Sequence, residues 1–258
     1  MHLSQAGVSQ HVRRLEAATG LRLVERHGRG SRFTGDGERL LASARRILSA
    51  HDEALRDLAG AHLEITLGST EHAAARLLPS LSASLEGAGS ETFRYRIDRG
   101  ARLREGLASG QVDLALLLNA ADQPGAVPVG ALELSWYAAE SWRLPVAPDP
   151  VPVVAFDNPC ELRKRALQTL ADHGLPATIG AEATQLAGVQ AAVSAGLGVA
   201  LMALEEPPPG LVVVHDLPAP EPLMLYVCPR AGLADDVVRL AADAVAAVLA
   251  EPRLALTS

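Results

Sequence analysis

Leu3-Ser4-Gln5-Ala6-Gly7-Val8-Ser9-Gln10-His11-Val12-Arg13-Arg14-Leu15-Glu16 is the stretch on which the reading of this chain turns. Val8, Val12 and Leu15 recur at spacings of four and three, which stacks them on one stripe of a helix. Ala6, Ser9, Gln10 and Arg13 then share the far side. Ser4 precedes the run as an N-cap type, because its hydroxyl can accept from a first-turn amide that has no helical partner, and Gly20 is the expected stop. Short polar groups near the start of a helix and an arginine further along suit the major groove, where Gln and Ser reach base edges and Arg holds phosphates. Taken alone, the segment reads equally well as an ordinary amphipathic surface helix.

The residues that follow shift the balance. Leu21 to Thr34 reads as two short strands around a Gly-rich, Arg-bearing turn, a wing from which Arg26, Arg29 and Arg32 would project cations toward a DNA backbone. Helix and wing together resemble the winged helix-turn-helix of LysR-type transcriptional regulators, with Leu3, Ser4, Gln5, Val8, Ser9, Leu15, Glu16, Gly20, Leu23, Arg26, Thr34 and Gly37 in register. Two positions depart from the pattern: Ala6 stands where the family usually has Pro, and Val24 where it usually has Phe. The resemblance implies a partial winged helix-turn-helix over residues 1–35, contacting double-stranded DNA through Ser4, Gln5, Ala6, Ser9, Gln10, Arg13, Arg26, Arg29, Arg32 and Thr34. The family's domain has a first helix and most of a second ahead of the position of Leu3. The expectation is therefore a truncated head or a start codon placed downstream, with Val8, Val12, Leu15 and Leu21 facing water and DNA held weakly.

Residues 36–59 carry Leu41, Ala44, Leu48, His51, Leu55 and Leu58 at alternating spacings of three and four, a heptad seam of roughly two and a half repeats. A helix lying on its own domain would show the same pattern. In the resembled family the segment, taken here as 36–60, is the linker helix that pairs two subunits, so a homodimer or homotetramer is expected.

Charge divides the chain in the same place. Residues 1–60 hold ten arginines against seven acidic residues, whereas the rest hold thirteen basic against twenty-three acidic residues, and the whole carries −7. A weakly basic head on an acidic body fits a nucleic-acid reader joined to a sensor, and the acidic total argues against general polyanion binding. With 258 residues, 48% of them hydrophobic, there is enough chain for a small head and one or two α/β lobes. No apolar run approaches the ~18 residues of a membrane span. The polar N-terminus is unlike a signal peptide, and two distant cysteines, Cys160 and Cys228, make no disulfide framework. A cytoplasmic protein is expected.

From Leu63 onward the pattern alternates between strand and helix: strand Leu63 to Leu67, helix Ala73 to Leu85, strand Thr92 to Ile97, helix Leu103 to Ala108, strand Val112 to Leu118. It resumes with strand Val151 to Phe156, helix Glu161 to His173, strand Ala177 to Gly180, helix Gln185 to Ala195 and strand Val199 to Ala203, then strands near 211–214 and 224–228 and a helix from Asp235 to Leu249. Such alternation predicts an α/β fold with mainly parallel sheet. Leu77-Leu78-Pro79, Gly110-Gln111-Val112-Asp113-Leu114-Ala115 and Ala192 to Ala200 resemble the effector domain of the same regulators. That domain is a two-lobed, periplasmic-binding-protein-like fold. The resemblance places it at 61–258, with lobe I about 61–135 and 224–258 and lobe II about 136–223.

In such a fold a small effector sits between the lobes, where loops leave strand ends and helix N-termini offer amides. Ser69 and Thr70 after the first strand, Arg99 and Gly100 after the second, Asn119 after the third, Phe156, Asn158 and Cys160 after a lobe II strand, and Thr184 at a helix start are the candidates. One of Ser69 and Thr70 could equally be a plain helix cap. Cys160 reads more readily as a small buried thiol than as a redox sensor. Histidine spacings give no metal motif and Gly196-x-Gly198 no dinucleotide loop, so no cofactor is expected. Scarce aromatics favour a small polar or aliphatic effector. The favoured reading is a ligand-responsive regulator. A stand-alone sensor without a working head is second, and an enzyme is disfavoured because no nucleophile, acid or base constellation can be named.

Overall fold

The apolar stripe at the start of the chain forms α1 (Gln5–Thr19), which ends where Gly20 takes φ +70° and its amide donates to the Glu16 carbonyl. The structure is a computed structural model, and it describes residues 5–28, 30–41, 43–44, 47–48, 51, 64–86, 92–146, 148–204 and 206–250. Contacts divide the chain into two units, one of them residues 1–61 with 108–111 and the other residues 62–107 with 112–258.

In the first unit β1 (Val24–His27) and β2 (Gly30–Phe33) form an antiparallel hairpin across a two-residue connection that begins with Gly28 at φ +58°. Such a connection favours residues that tolerate positive φ. Two acceptors tie helix to wing. The Glu16 carboxylate accepts from the amides of Leu23 (2.8 Å) and Val24 (3.3 Å), and these bonds hold its pKa below the usual 4.5. Thr34 caps the next helix, which starts at residue 35: its hydroxyl accepts from Gly37 N (3.0 Å) and donates to the Arg22 carbonyl (2.6 Å). Gly37 is required by proximity, because a Cβ there would sit 2.0 Å from the Leu23 carbonyl oxygen. Leu23 is buried, whereas Val8, Leu15 and Leu21 are each nearly half exposed and Val12 is half-buried.

A carboxylate whose folded pKa is depressed stabilises above its unfolded pKa and loses that contribution as pH falls through the folded value. Protection of the Leu23 and Val24 amides, measured by hydrogen exchange, is therefore expected to drop once pH falls below 4.5. In Glu16→Gln it should be low and flat across the same range.

Among the described residues the second unit holds three sheets, of five, three and two strands. In the first, the order is β4 (Thr92–Ile97), β3 (Glu64–Ser69), β5 (Leu114–Leu118), β12 (Leu223–Pro229), β6 (Val127–Leu132). β3 runs parallel to β4 and β5, while β12 is antiparallel to β5 and β6. Helices α2 (Glu71–Glu86) and α6 (Asp235–Ala250) pack together on one side through Leu77, Leu81, Leu85, Val238, Ala241 and Val245. Helix α3 (Gly100–Ser109) joins a separate cluster with Leu103, Leu107, Val112, Ala115, Leu117 and Cys228. Gly68 permits that approach, since a Cβ there would lie 2.6 Å from Leu103 Cδ2. Where β5 begins and the neighbouring β12 ends lies a buried ion pair, Arg230 Nε to Asp113 Oδ1 at 2.7 Å, with Asp113 Oδ2 also accepting from Thr66 N at 2.8 Å.

The chain passes to the second set of strands between β6 and β7 (Ser135–Ala139) and returns before β12. β7 is flanked by β10 (Ala200–Met202) and β11 (Leu211–Val213), both antiparallel to it, whereas β8 (Val151–Phe156) and β9 (Ala177–Ala183) pair in parallel. A parallel bridge between Val153 and Val199 links them, and α4 (Glu161–Asp172) and α5 (Leu186–Ser194) cover their faces.

The expectation of a mainly parallel sheet needs correction: the first sheet is mixed and β10-β7-β11 is antiparallel, because β12, β10 and β11 return from long excursions rather than through a βαβ crossover. The sequence pattern marks no strand at β6 or β7. β9 continues beyond Gly180, its expected end, because that glycine is the bulge residue of the pair with β8. A Cβ there would lie 2.3 Å from the Leu197 carbonyl oxygen, so it marks a close backbone approach, not a turn.

Candidate functional site

Five strands deliver their carboxyl ends to one cleft: β3 leads into Thr70, β4 ends at Ile97, β5 at Leu118, β8 at Phe156, and β9 leads into Thr184. Each connection except that after β5 turns directly into a helix, so the first residues of α2, α3 and α4, and Gln185 just ahead of α5, border the same space. The cavity they enclose has a volume of about 440 Å³. Its floor is apolar, built from Leu117, Leu118, Phe156, Pro159 and Leu162. Its rim carries the partial positive charge of the N-termini of α2, α3 and α4, which favours an anion, while the first amide of α5 is taken by Glu71.

Side-chain charges in the wall are already organised. Arg99 reaches across the cleft to Asp157, with one guanidinium nitrogen 2.6 Å from Oδ2 and the other 2.9 Å from the carbonyl. Glu71, at the start of α2, accepts from Leu186 N at the start of α5, and Asn119 Nδ2 donates to Glu161 Oε2 at 3.1 Å. Asp98 takes the Arg99 amide and the Arg96 guanidinium. Arg99 and Arg104 border the cavity as well, each already paired with a carboxylate, Arg99 with Asp157 and Arg104 with Asp122 at 3.6 Å.

Of the nine residues the sequence pointed to, Thr70, Arg99, Gly100, Phe156, Cys160 and Thr184 line the cavity. Ser69, Asn119 and Asn158 do not. Ser69 is buried, its hydroxyl donating to the Thr70 carbonyl, and Asn119, at φ +47°, turns to Glu161. Glu71, His72, Asp98 and Arg104 also line the space and had not been singled out, although each lies within a few residues of one that was. His72 is 4% exposed, its imidazole ring meets Phe156 edge-on at 4.9 Å, and desolvation pushes its pKa down to about 4. Burial pushes the Cys160 thiol up, more than the Arg163 and Leu162 amides lower it, and Cys228 is pushed up to about 11, so neither is poised as a thiolate. Among the described residues no cluster of His, Cys, Asp and Glu is placed to hold a metal, and no helix is long and apolar enough to cross a membrane.

On the head, Ser9, Gln10 and Arg13 are exposed along one side of α1, and Gln5 and Ala6 open that helix; Ser4 and Arg29 lie outside the described residues. Arg26 is exposed, and Arg32 pairs with Glu25 at 2.6 Å across the hairpin. Their register, Arg26 opposite Ser31 and Arg32 opposite Glu25, puts the two arginines on opposite faces. Thr34 is committed to its capping role. Of the heptad seam, Leu41 is half-buried and Ala44, Leu48 and His51 are exposed, while Leu55 and Leu58 lie outside the described residues.

Residues 58–250 match the LysR substrate binding domain, and residues 1–38 match the bacterial regulatory helix-turn-helix protein, lysR family. The chain belongs to the LysR family of transcriptional regulators. This LysR-type regulator is 30% identical over 231 residues to the HTH-type transcriptional regulator PecT of Dickeya dadantii, covering 87% of this chain and 73% of PecT. It is 31% identical to DgdR of Burkholderia cepacia, covering 85% and 76%. The same fold is found in full-length CbnR complexed with its target DNA (TM-score 0.63, 18% identity, 96% of this chain and 91% of CbnR). It recurs in the Corynebacterium glutamicum OxyR C206 mutant (TM-score 0.61, 23% identity, 96% and 85%).

Proposed function

We propose that this ligand-responsive regulator takes its effector in the cavity between the two sets of strands, the convergence of the N-termini of α2, α3 and α4 beside Arg99 being the observation that carries the reading. Thr70, Arg99, Gly100, Phe156, Cys160 and Thr184 form the effector site, and the protein acts in the cytoplasm by binding rather than turnover. The head over 1–35 reads DNA through the exposed side of α1, with Arg13 and Arg26 on phosphates, and the seam at 36–60 pairs subunits. Because Arg99, Glu71 and Asn119 bridge the cleft, a ligand that competes for those groups changes the relation between its two walls. Its differential affinity for the two arrangements is what transmits the signal.

The exposed apolar residues Val8, Leu15 and Leu21 weigh on DNA binding. A recognition helix whose inner stripe faces water is held in place weakly. Fluorescence anisotropy with the DNA flanking its own coding sequence should therefore give a Kd of about 1 µM or weaker near 0.15 M salt, in the range of nonspecific binding. Specific binding at roughly 10 nM or tighter, lost in Arg13→Ala, would overturn the impairment. An absence of any salt-dependent binding would favour a stand-alone sensor.

A further inference from the structure

Resting on the reading of the cavity as the effector site, we propose that His72 is an effector-contacting residue and that the effector is a small hydroxycarboxylate, its carboxylate held by Thr70, Arg99 and the start of α2 and its hydroxyl by the His72 imidazole. Among the described residues, both ring nitrogens of His72 and the Thr70 hydroxyl are buried and without a hydrogen-bond partner. His72 is more than nine-tenths buried, yet it lines the cavity from the first turn of α2. A buried polar group without a partner is costly, and here the costs fall on two residues, separated by a single position, that line one cavity.

The chemistry of the ligand follows from what each group can do. Burial keeps the imidazole neutral, so it presents one donor and one acceptor and no charge. Whichever ring nitrogen meets the ligand, N–H or lone pair, a hydroxyl can answer it because it both donates and accepts, whereas a carboxylate can answer only the N–H. Anionic charge on the ligand is matched elsewhere: Arg99 keeps N–H donors beyond the two given to Asp157, and the N-termini of α2, α3 and α4 add positive potential, with Arg104, paired to Asp122, beside them. The carboxylates nearby already have partners, Glu71 the α5 amide, Asp98 Arg96 and the Arg99 amide, Glu161 Asn119, Asp157 Arg99 and Asp122 Arg104, so a ligand carboxylate binds by sharing Arg99 with Asp157. The carbon skeleton lies on Leu117, Leu118, Phe156 and Leu162.

Matched pairs test this on the full chain by isothermal titration and thermal shift: 2-hydroxyisocaproate against isocaproate, mandelate against phenylacetate, and salicylate against benzoate. One hydroxy acid should bind at least about tenfold more tightly than its deoxy partner, because a site built around a hydroxyl is left with unpaired groups by the analogue. His72→Phe should bring the two together, and His72→Gln, which keeps a donor and an acceptor, should retain part of the preference. Gly100→Leu, which fills the cavity from the start of α3, should abolish binding of both. If hydroxy and deoxy acids bind equally, or His72→Phe keeps the preference, the proposal fails while the cavity reading stands. If binding survives Gly100→Leu, the cavity reading fails with it. Absence of binding by every acid overturns the assigned ligand class.

Discussion

Asp113→Ala is expected to destabilise the effector-binding unit by about 3–5 kcal/mol, the usual cost of removing one partner from a buried ion pair. Both side chains are nearly shielded from solvent, at 8% exposure for Arg230 and 13% for Asp113. Without the carboxylate, the guanidinium loses its 2.7 Å partner and the Thr66 amide loses its acceptor, so a charge and a backbone donor are left buried together. The backbone repeats the connection, because Arg230 N donates to the Asp113 carbonyl and Asp113 N to that of Thr66, which splices the end of β12 to the start of β5 and the middle of β3. In urea denaturation the midpoint should fall by roughly 1–2 M. Asp113→Leu combined with Arg230→Met should recover most of the loss, since two apolar groups need no partner, leaving mainly the unsatisfied Thr66 amide at about 1–3 kcal/mol. A single Asp113→Ala chain as stable as the parent would show that the pair does no more than a surface bridge.

The Asp113 result bears on what can be read from the chain alone. Val112-Asp113-Leu114-Ala115 was recognisable as a pattern, but its reason lies in Arg230, more than a hundred residues away, and no local periodicity reports that partner. Elements that follow a local rule were legible. Thr92–Ile97 and Val151–Phe156 carry β-branched and aromatic runs, and the helices from Glu71, Glu161 and Asp235 carry apolar residues at helical spacing. β6 was not, because Pro128 and Gly130, at φ +144°, interrupt it and are tolerated only through a register shift against β12. β7 was not because its five residues are mostly buried and do not alternate.

The candidate site followed the same division. The rule that loops leave strand ends toward the ligand pointed to Thr70, Arg99, Gly100, Phe156, Cys160 and Thr184, all of which border the cavity. It did not separate Ser69, the last residue of β3, whose side chain turns into the core. His72 was hidden because a polar residue among alanines near a helix start looks like surface, and only the fold of β8 beside it brings Phe156 onto its ring.

Gly198→Ala is expected to cost about 3 kcal/mol, more than any glycine substitution made only at a positive φ. Two physical demands meet at this residue. Its φ of +149° is one that side-chain-bearing residues rarely adopt, and a Cβ would sit 2.2 Å from the Pro152 carbonyl oxygen, a backbone atom that cannot swing aside. That oxygen accepts from Val199 N at 2.9 Å, and Val199 O in turn accepts from Val154 N at 2.8 Å, so the displaced carbonyl carries with it the bridge that joins β8 to β10. Gly232 supplies the control, because its φ is +81° and nothing lies within 4 Å of an added Cβ. Gly232→Ala should cost only the left-handed penalty of about 1–2 kcal/mol, and the difference between the two urea midpoints isolates the steric part. Hydrogen exchange should then show the Val154 and Val199 amides losing protection in Gly198→Ala while Val227, in the five-stranded sheet, keeps it. Equal costs for the two substitutions would mean that the approach of β8 to β10 yields without loss, and that the glycine is there for its conformation alone.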